Sequence, residues 1–163
     1  MKEKLFEEII QVAIVVNDLN ESLKIFNDEY GIGPWEIYKI DKKTTKDMKR
    51  NGKYKEFEYI VAMHKIGNIE LELVQPIDEN SLYYEFLKNH GPGLHHIGFK
   101  IVDFDKVSEF FNKKGIIPHQ SGVWEGKFFA HMKTEKDLNF VLEIFNKTKE
   151  YKKPEPIYKY PEE

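Results

Sequence analysis

The stretch QVAIVVNDLNESLKIFNDEYGI (Gln11–Ile32) reads as a strand, an Asn/Asp turn able to cap a helix, an amphipathic helix and a terminating glycine. A second stretch, HIGFKIVDFDKVSEFFNKKGI (His96–Ile116), follows the same plan. Setting Gln11 against His96 aligns Val12 with Ile97, Val16 with Ile101, Asp18 with Asp103, Phe26 with Phe111 and Asn27 with Asn112. One extra residue before Gly31 then brings Gly31 and Ile32 into line with Gly115 and Ile116. The chain is internally duplicated, and the duplication dictates the fold.

Each copy continues with three strand-like runs. The first offers PWEIYKI, EFEYIVAMHKI and IELELVQ, and the second IIPHQ, KFFAHMK and FVLEIF. The sequence therefore predicts an α+β fold of two tandem βαβββ modules, whose strands form an open, cupped mixed sheet with the amphipathic helices on its outer face. Residues 1–147 form one domain, with module one at about 9–76, a linker helix at about 77–92 and module two at about 93–146. Asp41–Lys55 (DKKTTKDMKRNGKYK) is a charged insertion confined to the first copy, expected to be an exposed hairpin or a mobile loop, either a lid over the site or plain surface. The tail 148–163, with three prolines and dense charge, is expected to be extended or disordered.

Composition narrows the chemistry. A net charge of −3 over 163 residues gives no general field for nucleic acid or an anionic membrane, so the expected partner is a small molecule. The apolar run IIQVAIVV is too short to span a bilayer and lacks a cleavage site, which leads to the expectation of a soluble cytoplasmic protein. Without cysteine, thiolate nucleophiles and sulfur-rich zinc sites are excluded, so any metal rests on His, Glu, Asp or Gln. Arg50 is the sole arginine, which leaves almost no bidentate recognition of carboxylates.

Strand alternation then splits each strand into two rows. Val12, Ile14 and Val16 oppose Gln11, Ala13 and Val15; Ile69, Leu71 and Leu73 oppose Glu70, Glu72 and Val74. In the second copy, Ile97, Phe99 and Ile101, with His95 in their row, oppose His96, Gly98 and Lys100, while Phe140, Leu142 and Ile144 oppose Val141, Glu143 and Phe145. With the apolar rows against the helices, Gln11, Glu72, His96 and Glu143 face the cup from four different strands at repeat-related places. That is the donor set of a divalent-cation site. Taken singly, each of these residues reads as a solvated polar side chain; their shared placement in the repeat is what singles them out.

On these motifs the chain resembles the vicinal oxygen chelate superfamily, the group of glyoxalases and methylmalonyl-CoA epimerases, over roughly Ile9 to Phe145. Its closest textual likeness is to the epimerases, whose HHI run is similar to His95–Ile97. The resemblance implies a divalent ion, zinc, cobalt, nickel or manganese, held by Gln11, Glu72, His96 and Glu143. The epimerases generally carry His where this chain has Gln11, and the set Gln, Glu, His, Glu is instead similar to that of zinc-type glyoxalase I. A single histidine ligand departs from the two-His, one-carboxylate pattern of the extradiol dioxygenases.

Both leading branches use a metal to polarise a carbonyl and ease removal of the adjacent proton through an enolate. The resemblance implies Glu143 as the base. Epimerisation needs a second acid/base group, and Glu58, placed in a polar row with Glu56 and His64, is the candidate, with Glu70 a further possibility. Scarce arginine disfavours glutathione, whereas an acyl-CoA thioester could meet lysines such as Lys127 or Lys133 at the rim. The expected function is thus a methylmalonyl-CoA epimerase-like isomerase, acting as a homodimer. The alternatives are a lactoylglutathione lyase-like enzyme and a metal-free antibiotic-binding protein whose cup is lined by Trp35, Tyr38, Trp124 and Phe128.

Overall fold

In the computed structural model, which describes residues 4–149 and 151–162, the first module contains β1 (Phe6–Val15), α1 (Leu19–Lys24), β2 (Trp35–Ile40), the hairpin β3 (Thr45–Arg50) and β4 (Lys53–Tyr54), β5 (Tyr59–Ile66) and β6 (Ile69–Pro76). The linker helix α2 (Leu82–His90) leads to β7 (Gly93–Ile101), α3 (Phe104–Lys114), β8 (Pro118–Trp124), β9 (Lys127–Met132), α4 (Glu135–Leu138) and β10 (Val141–Lys147). β11 (Tyr158–Tyr160) ends the described chain. The strands form one open mixed sheet in the order β11-β2-β5-β6-β1-β7-β10-β9-β8-β3-β4.

The duplication is visible in local chemistry. Asp18 and Asp103 cap α1 and α3 with the same bond, accepting from the backbone N–H of Glu21 at 2.8 Å and of Lys106 at 2.9 Å. After α1 the chain widens into a π-helical turn over Ile25–Glu29, where Tyr30 N–H reaches back to the Ile25 carbonyl. This wider turn accommodates the extra residue of the first copy before its closing glycine.

The two modules join through their first strands. β1 and β7 run antiparallel with Val12 opposite its own counterpart Ile97, Gln11 opposite Gly98 and Ala13 opposite His96. Each ligand-type residue thus faces a small residue of the other copy. β6 lies parallel to β1 with Glu72 beside Ala13, and β10 lies parallel to β7 with Glu143 beside Gly98. All four residues converge across a pseudo-two-fold centred on Val12 and Ile97.

The apolar rows pack outward as the alternation predicts. Leu71 and Leu73 meet Leu19 and Leu23 of α1, while Phe99, Leu142 and Ile144 meet Val107 and Phe111 of α3. The concave face has its own core, in which Ala13, Val15, Tyr59, Val61 and Phe129 are buried with Leu82 and Tyr83 of α2. The linker helix therefore enters the cup, a position that an amphipathic pattern alone does not specify.

Two segments are tied into the sheet more firmly than the sequence suggests. The insertion forms the expected hairpin, with β3 paired to β4, but it is neither a mobile loop nor a free lid: β3 crosses to the far edge of the second module and pairs with β8, with Thr45 opposite Trp124 and Met48 buried in the cup core. The tail crosses the opposite way and adds β11 to β2, with Tyr160 opposite Trp35. Residues 1–3, 150 and 163 lie outside the described residues. Among the described residues no helix is long and apolar enough to cross a membrane.

Candidate metal centre

His96 is fully buried, and three acceptors converge on its Nε2. Glu143 Oε2 stands 2.9 Å away, Gln11 Oε1 3.2 Å and Glu72 Oε2 3.5 Å. The four residues expected to act together are thus brought together. The orientation of Gln11 is fixed by Glu70, beside it on β6, whose Oε1 accepts from Gln11 Nε2 at 3.0 Å. Because a carboxylate only accepts, the amide nitrogen turns toward Glu70 and Oε1 toward the cluster. Glu70 is therefore a positioning residue.

Ideal alternation puts His95 in the row of Ile97, facing away from His96, and here the structure corrects the sequence. The register of β7 against β1 slips between Ala13 and Ile14, so that His96 faces Ala13, Leu94 faces Ile14 and His95 is the extra residue. This β-bulge turns both imidazoles to the concave side. Their Nδ1 atoms lie 2.9 Å apart, and His95 contacts the rings of Tyr83 at 5.1 Å and Phe86 at 4.9 Å.

A fifth member of the cluster was not foreseen. His131 on β9 is directly opposite Glu143, with its Nε2 3.3 Å from Glu143 Oε1 and 2.9 Å from the Tyr83 hydroxyl. His96, His131 and Glu143 place ligand atoms within 4.8 Å of one another. The signal lay in a transposition between the copies, AMHK (Ala62–Lys65) against AHMK (Ala130–Lys133). In the first copy Met63 faces the cup opposite Glu72 while His64 turns away to the Pro34 carbonyl at 2.8 Å. In the second, His131 faces the cup and Met132 packs beneath α3.

Glu58 does not join the cluster. β5 turns Tyr59, Val61 and Met63 into the cup, and Glu58, just before the strand, is 38% exposed and paired with Lys39 at 3.4 Å. Taking the polar row as cup-facing fails at this strand because the cup carries an apolar core of its own. For the same reason Trp35 lies beneath α1 and Phe128 meets Phe104 edge to face, while Tyr38 and Trp124 do meet in the cup at 5.4 Å. Lys127 borders the site, whereas Lys133 is not among the residues lining it.

Burial sets the electrostatics. It disfavours charge on His96, but Glu143 and Glu72 overcome it and hold the imidazolium up at about 9. Burial prevails at His131, which is pushed down to about 3 and stays neutral. Glu72 is raised, chiefly by burial, whereas at Glu143 the imidazolium of His96, 2.9 Å away, outweighs burial and lowers it. Two carboxylates held in a buried cluster with one cation are costly unless further positive charge is supplied.

The donor set fits a divalent ion. Ligands about 2.0–2.2 Å from a zinc-class ion stand roughly 3–3.5 Å apart, and the separations around His96 Nε2 fall at that spacing. Glu143 Oε2 accepts no well-formed hydrogen bond despite its close approach to His96, and His131 Nδ1 is buried without a partner. A void of about 20 Å³, near the volume one water needs, lies against Gln11, Glu72 and Glu143. Gln11, Met63, Trp124, Lys127 and Phe145 separate it from an open cleft of about 660 Å³.

Solved structures share this fold. The Streptomyces coelicolor methylmalonyl-CoA epimerase in complex with 2-nitronate-propionyl-CoA is similar over 88% of this chain and 99% of its own, at 19% identity and a TM-score of 0.66. The methylmalonyl-CoA epimerase of Mycobacterium tuberculosis is similar over 91% and 93%, at 15% identity and a TM-score of 0.64. The uncharacterized protein YqjC of Bacillus subtilis is 44% identical over 39 residues, which span 24% of this chain and only 28% of that relative's length. The sequence profile of the Glyoxalase/Bleomycin resistance protein/Dioxygenase superfamily matches residues 10–133, and the chain belongs to that superfamily.

Proposed function

We propose that the protein is a divalent-metal-dependent isomerase that moves a proton alpha to a thioester carbonyl, of the methylmalonyl-CoA epimerase type. The observation that supports this reading is the convergence of Gln11, Glu72 and Glu143 on His96 Nε2, beside a small void that adjoins a substrate-sized cleft. Gln11, Glu72, His96 and Glu143 would hold the ion, with His131 beside them as a further donor. When bound, the metal polarises the substrate carbonyl and so acidifies the adjacent C–H.

The residues supply the proton chemistry. Glu143 takes the proton, and the positive charge of Lys127 nearby favours its ionised form despite burial. Glu72, its counterpart across the pseudo-two-fold, approaches the void from the other module and returns a proton on the opposite face. With Glu58 outside the cup, Glu72 replaces it as the second acid/base group. The surrounding apolar core excludes bulk water from both carboxylates.

The donor set supports a second reading, a lactoylglutathione lyase-like isomerisation, because Gln, Glu, His, Glu is similar to the set of zinc-type glyoxalase I. The position of Arg50 weighs against it: the guanidinium is tied to Glu85 at 2.7 Å and to the Asn80 carbonyl at 3.4 Å, and it does not line the cleft. Loading the protein with zinc, cobalt, nickel or manganese and following α-proton exchange of methylmalonyl-CoA in deuterated water by NMR tests the first reading. Exchange that fails in Glu143→Gln is the expected result. Lyase activity on a glutathione hemithioacetal without exchange would transfer the conclusion to the second reading, and failure of the protein to take up any divalent ion would remove both.

A further inference from the structure

The C-terminal segment, beyond the region matched by the superfamily's profile, forms one wall of the cleft. It starts on the second module, where the Thr148 hydroxyl donates to the Gly126 carbonyl at 2.9 Å and Tyr151 N–H donates to the Thr148 carbonyl at 3.1 Å. It then reaches the first module, where Lys153 pairs with Glu36 and lies 5.6 Å over the Tyr38 ring. Beyond that point β11 pairs with β2, and the hydroxyls of Tyr158 and Tyr160 reach Asn20 at 3.3 Å and Asp28 at 2.9 Å. The segment is thus fastened to both modules, and Tyr151 and Lys153 between its anchors line the cleft.

Charge in the cleft is one-sided. Among the described residues, Lys65, Lys100, Lys127, Lys147 and Lys153 line it, against the single carboxylate of Glu70, which already accepts from Gln11. Glu7 and Glu8 neutralise Lys100, and Glu36 neutralises Lys153. Among the described residues Lys65, Lys127 and Lys147 form no ion pair with a carboxylate. Lys127 and Lys147 instead lie 5.9 and 5.1 Å from the centre of the Tyr151 ring, and Lys127 also lies over Trp124 at 5.1 Å and Phe145 at 4.9 Å. An ammonium resting on aromatic faces keeps donors available to an anion, and several in one concave site reinforce each other's field.

We infer that Lys127 and Lys147, set on Tyr151 by the C-terminal segment, form a clamp for a phosphate-bearing arm of the substrate. The inference rests on the thioester reading of the neighbouring cluster, whose residue Gln11 also lines this cleft. Point-charge lysines suit a multiply charged phosphate, and the absence of a free arginine makes planar carboxylate recognition the poorer match. Selection of substrate thus includes a part of the chain outside the matched residues 10–133.

Titration of the protein, read by its intrinsic tryptophan fluorescence, to which Trp124 at the cleft contributes, tests the clamp with coenzyme A, inorganic pyrophosphate and phosphate-free pantetheine. Coenzyme A and pyrophosphate should compete, and pantetheine should bind about tenfold more weakly or worse, the loss expected from a charge-assisted contact. The Lys127→Gln/Lys147→Gln double variant and Tyr151→Ala should each weaken coenzyme A while leaving thermal unfolding cooperative, and Lys127→Arg/Lys147→Arg should restore binding. Equal affinity for coenzyme A and pantetheine, or wild-type affinity in the glutamine variant, would overturn the clamp. Binding needs no turnover, so the two readings fail separately: lysine-dependent binding without α-proton exchange sinks the proposed reaction alone, and exchange without lysine dependence sinks the clamp alone.

Discussion

His131 and Glu143 face each other across β9 and β10 at 3.3 Å, while at the same place in the first module Met63 faces Glu72. The two halves of the cluster are therefore chemically unequal: a cross-strand histidine stands opposite only one of the carboxylates. His131→Met, which gives the second module the residue of the first, should cost about 10- to 100-fold in metal affinity. Competition with a chromogenic chelator measures this, and unchanged affinity would remove His131 from the site.

His95 should act through His96. For His96 Nε2 to bind a metal, its Nδ1 carries the proton and donates it to His95 Nδ1, 2.9 Å away. His95→Ala should therefore weaken metal binding by about tenfold or more, whereas His95→Asn, with an acceptor near the same place, should retain most of it. Equal losses in the two variants would point to packing against Tyr83 and Phe86 as the only role of His95.

The metal-free protein should be most stable near pH 6.5. His96 is raised to about 9, so its contribution is complete below the unfolded value of about 6.5 and is lost as pH climbs through 9. His131 is lowered to about 3, so the unfolded chain takes up its proton first as pH falls below about 6.5, and stability declines on that side too. Each group contributes a slope of up to about 1.4 kcal/mol per pH unit, and His95, which burial also holds well below the ordinary histidine range, steepens the acid limb further. Thermal unfolding across pH should show that His131→Met makes the acid limb shallower and leaves the alkaline limb in place. Metal binding at neutral pH should also release a proton from His96, seen in calorimetry as a dependence of the binding heat on buffer.

Gly98 is required by the closeness of the two copies. A Cβ at this position would stand 2.8 Å from Phe145 Cε2 and 2.9 Å from Gln11 Cβ. Gly98→Ala should destabilise the fold by about 1–3 kcal/mol and displace Gln11, lowering metal affinity as well. Wild-type values in both denaturant unfolding and metal titration would mean that β1 and β10 shift freely, against the register described above.

The sequence by itself determined the duplication, the two modules, the outward packing of Leu73 and Leu142, and the convergence of Gln11, Glu72, His96 and Glu143. These follow from period-two alternation repeated in two copies, and alternation is a local property of a strand. It did not determine what breaks or ignores alternation. The bulge at His95 arises from how β7 registers against β1, and register belongs to a pair of strands rather than to either one. The inward position of Tyr83, the outward position of Glu58 and the crossings of β3 and β11 depend on the cup having an apolar core of its own, which forms only when α2 and the far edges of both modules meet. Long-range closure of that kind places the wall of the cleft, and no short window of sequence encodes it.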